Sequence, residues 1–225
     1  DWAAELKKRS FAVKLLLDKA ATKSGITTAI KREIGRAKKS DVVVITYSGH
    51  GSYVPDLDGD EPDGTDECIC PHDVTTRGEI TDDTLYTLYS SAAQGAKVVV
   101  ISDSCHSGSV AKFRPITTPP TMAGAGAPQR RVRFMPPATF LKQGRVQPLG
   151  DRRAARKSGP PGRHASLLMA GCQDTEYSYD AFFGGRPNGA FTFVALRELK
   201  KLPKSATYLQ WFRAVRRALP SQQYP

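Results

Sequence analysis

One histidine and one cysteine stand in short polar loops whose composition suits nucleophilic chemistry. His50 lies in the segment 48–51, SGHG, and Cys105 lies in the segment 103–108, DSCHSG. A cysteine thiol attacks carbonyl carbons once it is deprotonated, and a nearby imidazole can take up that proton and later give it to a leaving amine. The backbone N–H groups of Gly51 and Cys105 could stabilise the oxyanion formed in such a reaction. These residues therefore predict acyl transfer through a Cys–His pair.

A run of β-branched and apolar residues precedes each of these loops. The runs 41–47 and 96–101 lack alternation, which is typical of parallel strands that are buried on both faces. The segment 81–94 between them spaces its apolar residues as a helix does. Because the carboxyl ends of adjacent parallel strands meet at one edge of a sheet, we expect His50 and Cys105 to share a crevice.

The remaining elements extend the same alternation of strands and helices. Segment 11–17 is a weaker strand candidate, and a helix over 25–39 would join it to the first strong strand. After a long interruption, the pattern resumes with a strand at 166–170 and helices at 190–200 and 208–219. This order predicts an α/β fold with a mostly parallel central sheet and helices on both faces.

The interruption is strongly basic. Residues 111–165 hold twelve of the 33 Lys and Arg residues but one of the 22 Asp and Glu residues, so the whole net charge of +11 belongs to this segment. It is rich in Pro and Gly, which predicts a disordered linker with a short ordered stretch near 132–141. We therefore expect a large part over 1–110, a linker over 111–165 and a small part over 166–225, forming one catalytic domain.

The composition argues against several classes of protein. The four cysteines, Cys68, Cys70, Cys105 and Cys172, are too few and too scattered for a disulfide framework or a zinc site, which favours a reducing, cytoplasmic setting. No apolar run approaches the roughly 20 residues of a membrane span, so no membrane partner is expected. Solvated disorder explains the basic linker more simply than nucleic-acid binding does, so nucleic acid is not an expected partner.

The two loops resemble the paired histidine and cysteine motifs of metacaspases, which are cysteine peptidases related to caspases and cut after Arg or Lys. The acidic loop 56–67, the segment 69–73 and the sequence GAFT at 189–192 also match that family. The resemblance implies a caspase-type α/β/α sandwich. It also implies a cysteine endopeptidase whose peptide and protein substrates carry a basic residue at P1, the position before the cut.

Three residues take specific roles by this resemblance. Cys105 is expected to be the nucleophile that forms a thioester, His50 the general base, and Asp103 a wall of the pocket for the basic P1 side chain. A carboxylate so near the nucleophile should raise the thiol pKa, so an ion pair with a substrate cation is a better reason for its presence. The alternative is that Asp103 caps backbone N–H groups of its own loop.

Calcium is the cofactor that the resemblance implies. In calcium-dependent metacaspases, carboxylates matching Asp66, Asp82 and Asp83 hold the ion together with a fourth one, whose position is taken here by Lys112. Asp82 and Asp83 also suit the first turn of a helix, where acidic side chains interact favourably with the helix dipole. Both interpretations of these two residues stay open.

Self-processing is a further implication, since metacaspases of this layout can be cut in or near the joint between their two parts. The basic linker residues that would suit the enzyme's own specificity are Arg130, Arg131, Arg133, Arg145, Arg152, Arg153, Arg156 and Lys157. The sequence does not choose among them.

Two strands of the family's sheet have no counterpart in this sequence. One is an apolar central strand that would precede segment 1–9, and the other is an edge strand that would follow 221–225. Completion of the sheet by another chain is therefore an expectation. The alternative to an active peptidase is a catalytically silent protein that keeps the fold as a scaffold or partner-binding module.

Overall fold

A computed structural model describes residues 1–57, 59, 61, 64–105, 131–141, 166–172, 178–183 and 186–219. Its helices are α1 (Trp2–Lys8), α2 (Lys23–Arg36), α3 (Val74–Arg77), α4 (Asp82–Ser90), α5 (Ala190–Lys201) and α6 (Tyr208–Ala218). Its strands are β1 (Val42–Ser48), β2 (Gly51–Pro55), β3 (Thr65–Ile69), β4 (Ile80–Thr81), β5 (Lys97–Asp103), β6 (Arg131–Val132), β7 (Leu167–Ala170), β8 (Tyr179–Phe183) and β9 (Arg186–Gly189). The predicted elements agree with these bounds to within a few residues, apart from segment 11–17.

A parallel three-stranded sheet in the order β1-β5-β7 forms the centre of the structure. Ser48 at the end of β1 lies opposite Asp103 at the end of β5. Strand β5 has a neighbour on each side and is buried from Val98 to Asp103. Strand β1 is an edge of the described sheet and keeps partly exposed side chains, so the expectation that both strands are fully buried is wrong for β1.

Helices cover both faces of this sheet. Successive side chains of β5 lie on opposite faces, so both faces carry apolar side chains that the helices bury. Val98 and Val100 pack with α2 and α4, in a cluster that includes Ile34. Val99 and Ile101 pack with α1, α5 and α6 on the other face. The predicted α/β/α sandwich with a mostly parallel sheet is therefore confirmed.

Segment 11–17 is not a strand, contrary to the sequence-based expectation. It lies across a cleft of about 2110 Å³ from β1, and both of them line that cleft. Leu15 and Leu17 are 56% and 60% exposed. An extended segment becomes part of a sheet only when a neighbour takes up its backbone hydrogen bonds, and the described residues place no strand beside this one.

Two small antiparallel sheets lie beside the central one, in the orders β2-β3-β4 and β6-β8-β9. Strand β6 belongs to the linker, so the short ordered stretch expected near 132–141 is present. The rest of the linker, 111–130 and 142–165, lies outside the described residues. In the part of the chain that is described, no helix is long and apolar enough to cross a membrane.

Candidate active site

The loops that hold His50 and Cys105 leave the same edge of the central sheet. Strands β1 and β5 are parallel, and their last residues pair with each other, so each of the two residues follows two positions after the end of its strand. Both loops also contact one backbone carbonyl, because the N–H groups of Gly51 and Cys105 donate to the carbonyl oxygen of Arg133. The structure therefore brings the two predicted loops together.

The thiol of Cys105 is fully buried and held by the small part of the chain. The N–H of Ser178 donates to Sγ at 2.9 Å, and Sγ lies 3.3 Å from the carbonyl oxygen of the same residue. These surroundings hold the thiol pKa below its ordinary value, chiefly through a hydrogen bond with the Cys172 side chain and despite burial. Asp103 raises that pKa, in the direction that the sequence predicted. This net lowering gives Cys105 a larger fraction of thiolate, the nucleophilic form, than an ordinary cysteine has.

The backbone of His50 is fixed by two neighbours. Its carbonyl oxygen accepts a hydrogen bond from the N–H of Cys70 at 2.9 Å and lies 2.8 Å from the hydroxyl of Tyr47. A side chain at Gly49 would put its Cβ 2.6 Å from that hydroxyl, so the loop needs glycine there. Although the residue is exposed overall, partial burial of the ring lowers the His50 pKa. In the described part of the chain, no hydrogen bond joins this ring to Cys105 Sγ.

Asp103 is 1% exposed and is held by hydrogen bonds to both carboxylate oxygens. Oδ2 accepts from the N–H of Thr192 at 2.9 Å and from its hydroxyl at 2.5 Å, and Oδ1 accepts from the hydroxyl of Ser178 at 2.5 Å. The one backbone donor among them, at Thr192, lies in α5 and not in the loop of Asp103. The carboxylate also lies 3.6 Å from Nη1 of Arg133. Asp103 therefore both joins the two parts of the chain and faces a guanidinium.

The side chain of Arg133 fills the acidic pocket beside Cys105 and is almost entirely buried. Nε and Nη2 donate to Oδ1 of Asp180 at 2.9 and 2.6 Å. Nη1 donates to the hydroxyl of Ser48 at 2.6 Å and to the carbonyl of Asp103 at 2.7 Å. A linker arginine thus occupies the place that the sequence assigned to a substrate's P1 side chain.

The backbone of Arg133 is hydrogen-bonded to both loops and to the small part of the chain. Its carbonyl oxygen accepts hydrogen bonds from the N–H of Gly51 at 3.0 Å and the N–H of Cys105 at 3.2 Å. Its own N–H donates to the carbonyl of Ser178 at 3.0 Å. The two donors are those that the sequence proposed for the oxyanion, and a donor pair at this distance from a reacting carbonyl is what an oxyanion hole requires.

Ser178 and Asp180 are the site residues that the sequence analysis missed. Ser178 directly precedes β8 and Asp180 is its second residue, and both reach the site through tertiary contacts with residues distant in the chain. The one local signal for Asp180 is an acidic residue inside the otherwise apolar run 179–183. Of the eight linker residues considered for processing, Arg133 is the one whose side chain is described; the others lie outside the described side chains.

The three carboxylates expected to hold calcium lie on two neighbouring elements, β3 and α4. Asp66 is buried on β3, and Asp82 and Asp83 occupy the first turn of α4, whose N-cap Thr81 accepts a hydrogen bond from the N–H of Thr84. Within the described ranges, no three His, Cys, Asp or Glu side chains are arranged to hold a metal ion. Asp82 and Asp83 do occupy the first turn of a helix, calcium binding stays a prediction, and Lys112 lies outside the described residues.

Comparisons with known proteins identify sequence relatives. A family model for the metacaspase, peptidase C14 domain matches residues 6–114. Metacaspase-1B of Aspergillus oryzae is 30% identical over 88% of this chain and 51% of its own length. Metacaspase-1 of Ajellomyces capsulatus is 29% identical over 89% of this chain and 61% of its own length. The chain therefore spans about half the length of the curated relatives it matches.

A solved structure shares the fold over the whole chain. The crystal structure of protein GSU0716 from Geobacter sulfurreducens matches with a TM-score of 0.72 and 35% sequence identity. The match covers 100% of this chain and 79% of that one.

Proposed function

The chain belongs to the metacaspase family of cysteine peptidases, and from this we propose that it is an endopeptidase that cleaves peptide bonds after arginine or lysine. The proposed nucleophile is Cys105 and the proposed general base is His50. Asp103 and Asp180 would bind the cation of the P1 side chain.

The proposed reaction proceeds through a thioester. Sγ of Cys105 attacks the carbonyl carbon of the P1 residue, and its proton passes to His50. The N–H groups of Gly51 and Cys105 stabilise the oxyanion, and His50 then protonates the leaving amine. Water adds to the thioester with His50 as base, which releases the acid product and restores the thiol. The thiol must first leave Ser178, its described hydrogen-bond partner, to reach the imidazole.

The single observation that carries this proposal is the position of Arg133. Its guanidinium lies between two carboxylates while its carbonyl accepts hydrogen bonds from the two proposed oxyanion donors. The two hydrogen bonds from Nε and Nη2 to one oxygen of Asp180 suit a guanidinium in particular, and the Asp103 carboxylate suits any P1 cation. The same observation supports self-processing at the bond between Arg133 and Phe134, one of the eight basic positions in the linker.

This proposal is tested by cleavage of the full chain and of separate peptides. We expect mass spectrometry of the incubated protein to find a new N-terminus at Phe134, and we expect this product to be lost in Arg133→Gln and in Cys105→Ala. Peptides with Arg at P1 should be cleaved and matched peptides with Asp at P1 should not. Cleavage that persists in Cys105→Ala would contradict the mechanism, and preference for Asp would contradict the pocket.

A silent scaffold is the competing function, and one observation favours it. The thiol contacts Ser178 and Cys172 in the described structure, whereas His50 is not among its hydrogen-bond partners. A scaffold would show no turnover of any peptide and no labelling of Cys105 by an arginine-based electrophile. Both results together would replace the peptidase proposal.

Calcium stimulation and a cytoplasmic location stay predictions. The four cysteines are all free thiols in the described structure. Calcium would need an oxygen-rich site that includes Asp66, Asp82 and Asp83, and we propose no catalytic step that depends on it. Nucleic acid is not a proposed partner.

We also propose that another chain completes the central sheet. The outer edge of β1 faces the cleft of about 2110 Å³, and segment 11–17 lines its far side. A strand placed there would hydrogen bond to the free edge of β1 and cover its apolar side chains. The occupant we propose is therefore an extended, apolar polypeptide segment.

A further inference from the structure

The linker residues after Arg133 lie on a second surface, which the catalytic mechanism uses only at Gly51. This prime-side surface is formed by Gly51, Ser52, Tyr53 and Val54 of β2 with Cys68 of β3 and Val74 of α3. It begins directly beyond the proposed oxyanion hole. The position after a cut is called P1′ and the next one P2′, so Phe134 and Met135 occupy these two positions.

Gly51 holds the backbone on both sides of Phe134. Its N–H donates to the carbonyl of Arg133 at 3.0 Å, and its carbonyl accepts from the N–H of Met135 at 2.9 Å. The hydroxyl of Ser52 donates to the carbonyl of Met135 at 2.6 Å. These contacts use backbone groups of the ligand, so they fix the position of a bound chain without selecting its sequence.

The side chains on this surface provide the selectivity. The ring of Phe134 stacks on Tyr53, with centroids 6.1 Å apart and planes inclined by 19°. This distance lies in the range in which aromatic pairs attract each other beyond the effect of buried area. Met135 packs against the apolar cluster of Val54, Cys68 and Val74, which continues under Phe140 and Leu141.

We propose that the prime-side surface is a substrate subsite that selects an aromatic residue at P1′ and an apolar residue at P2′. This inference rests on the proposed peptidase function and names its preferred substrates, which are proteins with an Arg–aromatic–apolar sequence. Tyr53 is the residue that stacks on the P1′ side chain and selects an aromatic one. The linker segment 133–135 is the example of such a sequence that the chain itself contains.

The test compares two quenched fluorescent peptides built on residues 130–136, one with Phe at P1′ and one with Ala. The full-length enzyme should show a kcat/KM ratio of about two- to tenfold in favour of Phe, from the energy of one aromatic pair. Tyr53→Ala should bring the ratio close to one, and Tyr53→Phe should keep it. Tyr86→Ala is the matched control, because Tyr86 is an exposed tyrosine on α4, 54% accessible.

Failure of this inference and failure of the proposed function give different results. Cleavage of both peptides with a ratio near one, or an unchanged ratio in Tyr53→Ala, would overturn the subsite and leave the peptidase intact. No cleavage of either peptide would instead remove the peptidase. In that case the subsite is tested by trypsin digestion of the Cys105→Ala chain, followed by mass spectrometry at the bond between Arg133 and Phe134.

The subsite predicts that this bond is protected from trypsin and that Tyr53→Ala in the Cys105→Ala background speeds its cleavage by about two- to tenfold. Tyr86→Ala in the same background should leave the protection unchanged. Equal cleavage rates with and without Tyr53 would overturn the inference even for a protein without turnover.

Discussion

Asp180 contacts the pocket cation and also acts on the proposed general base. It raises the pKa of His50, whereas burial, which is the largest cause, and Arg133 both lower it. The net result holds the imidazole pKa below its ordinary value of 6.5. A general base must be neutral to accept a proton, so His50 is in its working form at neutral pH.

Replacement of Asp180 by Asn should move the acid limb of the pH profile. Because the carboxylate raises the His50 pKa, its loss should lower that pKa further and shift the acid limb of kcat/KM to lower pH. The lost ion pair should also raise KM for peptides with Arg at P1. The measurement is kcat/KM from about pH 4.5 to 8, within which a histidine titrates. Glu33→Gln, which removes the charge of a carboxylate on α2, is the control and should leave the acid limb in place. A shift of the acid limb to higher pH in Asp180→Asn would contradict the effect assigned to Asp180.

Replacement of Cys172 by Ala should make Cys105 a weaker nucleophile at neutral pH. The hydrogen bond between the two side chains is the largest cause that lowers the Cys105 pKa, so its loss raises the pKa and reduces the thiolate fraction. The rate of Cys105 alkylation by iodoacetamide, measured against pH, should show a midpoint at higher pH. Cys172→Ser keeps a hydrogen-bond donor and should move the midpoint less. An unchanged midpoint in both variants would show that Ser178, and not Cys172, controls the thiol.

The site residues that could be found from the sequence are those inside contiguous motifs. His50, Cys105 and Asp103 stand in two loops whose strands are adjacent, so their proximity followed from the parallel pairing of those strands. Asp180 and Tyr53 reach the site from other elements through tertiary packing. No local pattern distinguishes an acidic residue that binds a cation from one that faces solvent.

The ordered part of the linker, from β6 through Leu141, is the element that determines which bond faces Cys105. Strand β6 pairs with β8, and Phe140 is buried in the cluster of Val54 and Val74. These two attachments lie on opposite sides of Arg133 and set its register. Arg131 lies in β6 itself, and the other six basic candidates of the linker lie outside the described residues.

The variant Phe140→Ala should slow self-cleavage while helping separate substrates. Loss of a buried phenylalanine typically costs about 3 kcal/mol, which would weaken linker docking by roughly 100-fold. We expect self-cleavage at Arg133 to fall at least about tenfold and kcat/KM for an added Arg peptide to rise, because the pocket is more often empty. Leu209→Ala on α6, at a position 54% exposed, is the matched control. A parallel fall of both activities would instead indicate damage to the fold.

At the scale of elements, the sequence predicted α2, α4, α5, α6 and the three strands of the central sheet, but not the two small antiparallel sheets or the state of segment 11–17. Amphipathic spacing and N-cap residues such as Thr22 and Thr207 act locally, so they are readable from the sequence. Pairing of a strand depends on a neighbour that is distant in the chain. Without that neighbour, segment 11–17 stays irregular, although its composition suits a strand.

At the scale of the molecule, the described residues form apolar clusters on both faces of the central sheet and leave the edge of that sheet at β1 open. If another chain completes the sheet, association should slow hydrogen exchange of the outward amides of β1. Mass spectrometry of β1 peptides in monomeric and associated fractions, separated by size, checks this expectation. The amides of β5, which has neighbours on both sides, serve as the control and should be protected in both fractions. Association that does not slow hydrogen exchange of the β1 amides would contradict the proposal that a strand of another chain pairs with β1.

The fold class was predictable because the periodicity of the apolar residues and the order of the motifs both indicate an α/β fold over most of the chain. The excess positive charge separates the linker from the folded parts. The layer arrangement follows from β5, whose uninterrupted apolar run requires helices on both faces. The edge position of β1 was not predictable, since a run such as Val42–Ile45 is equally apolar in a central strand and beside an open cleft. The basic composition of the linker likewise did not indicate which few of its residues contact the folded parts of the chain.

Because Arg133 belongs to the same molecule as the pocket it fills, self-cleavage should follow first-order kinetics with a half-time independent of protein concentration. A tethered ligand of this kind acts at an effective concentration on the order of millimolar. A substrate present at micromolar concentration competes poorly with it. Activity on other proteins should therefore begin with a lag, and the length of that lag measures how long the cut linker takes to dissociate.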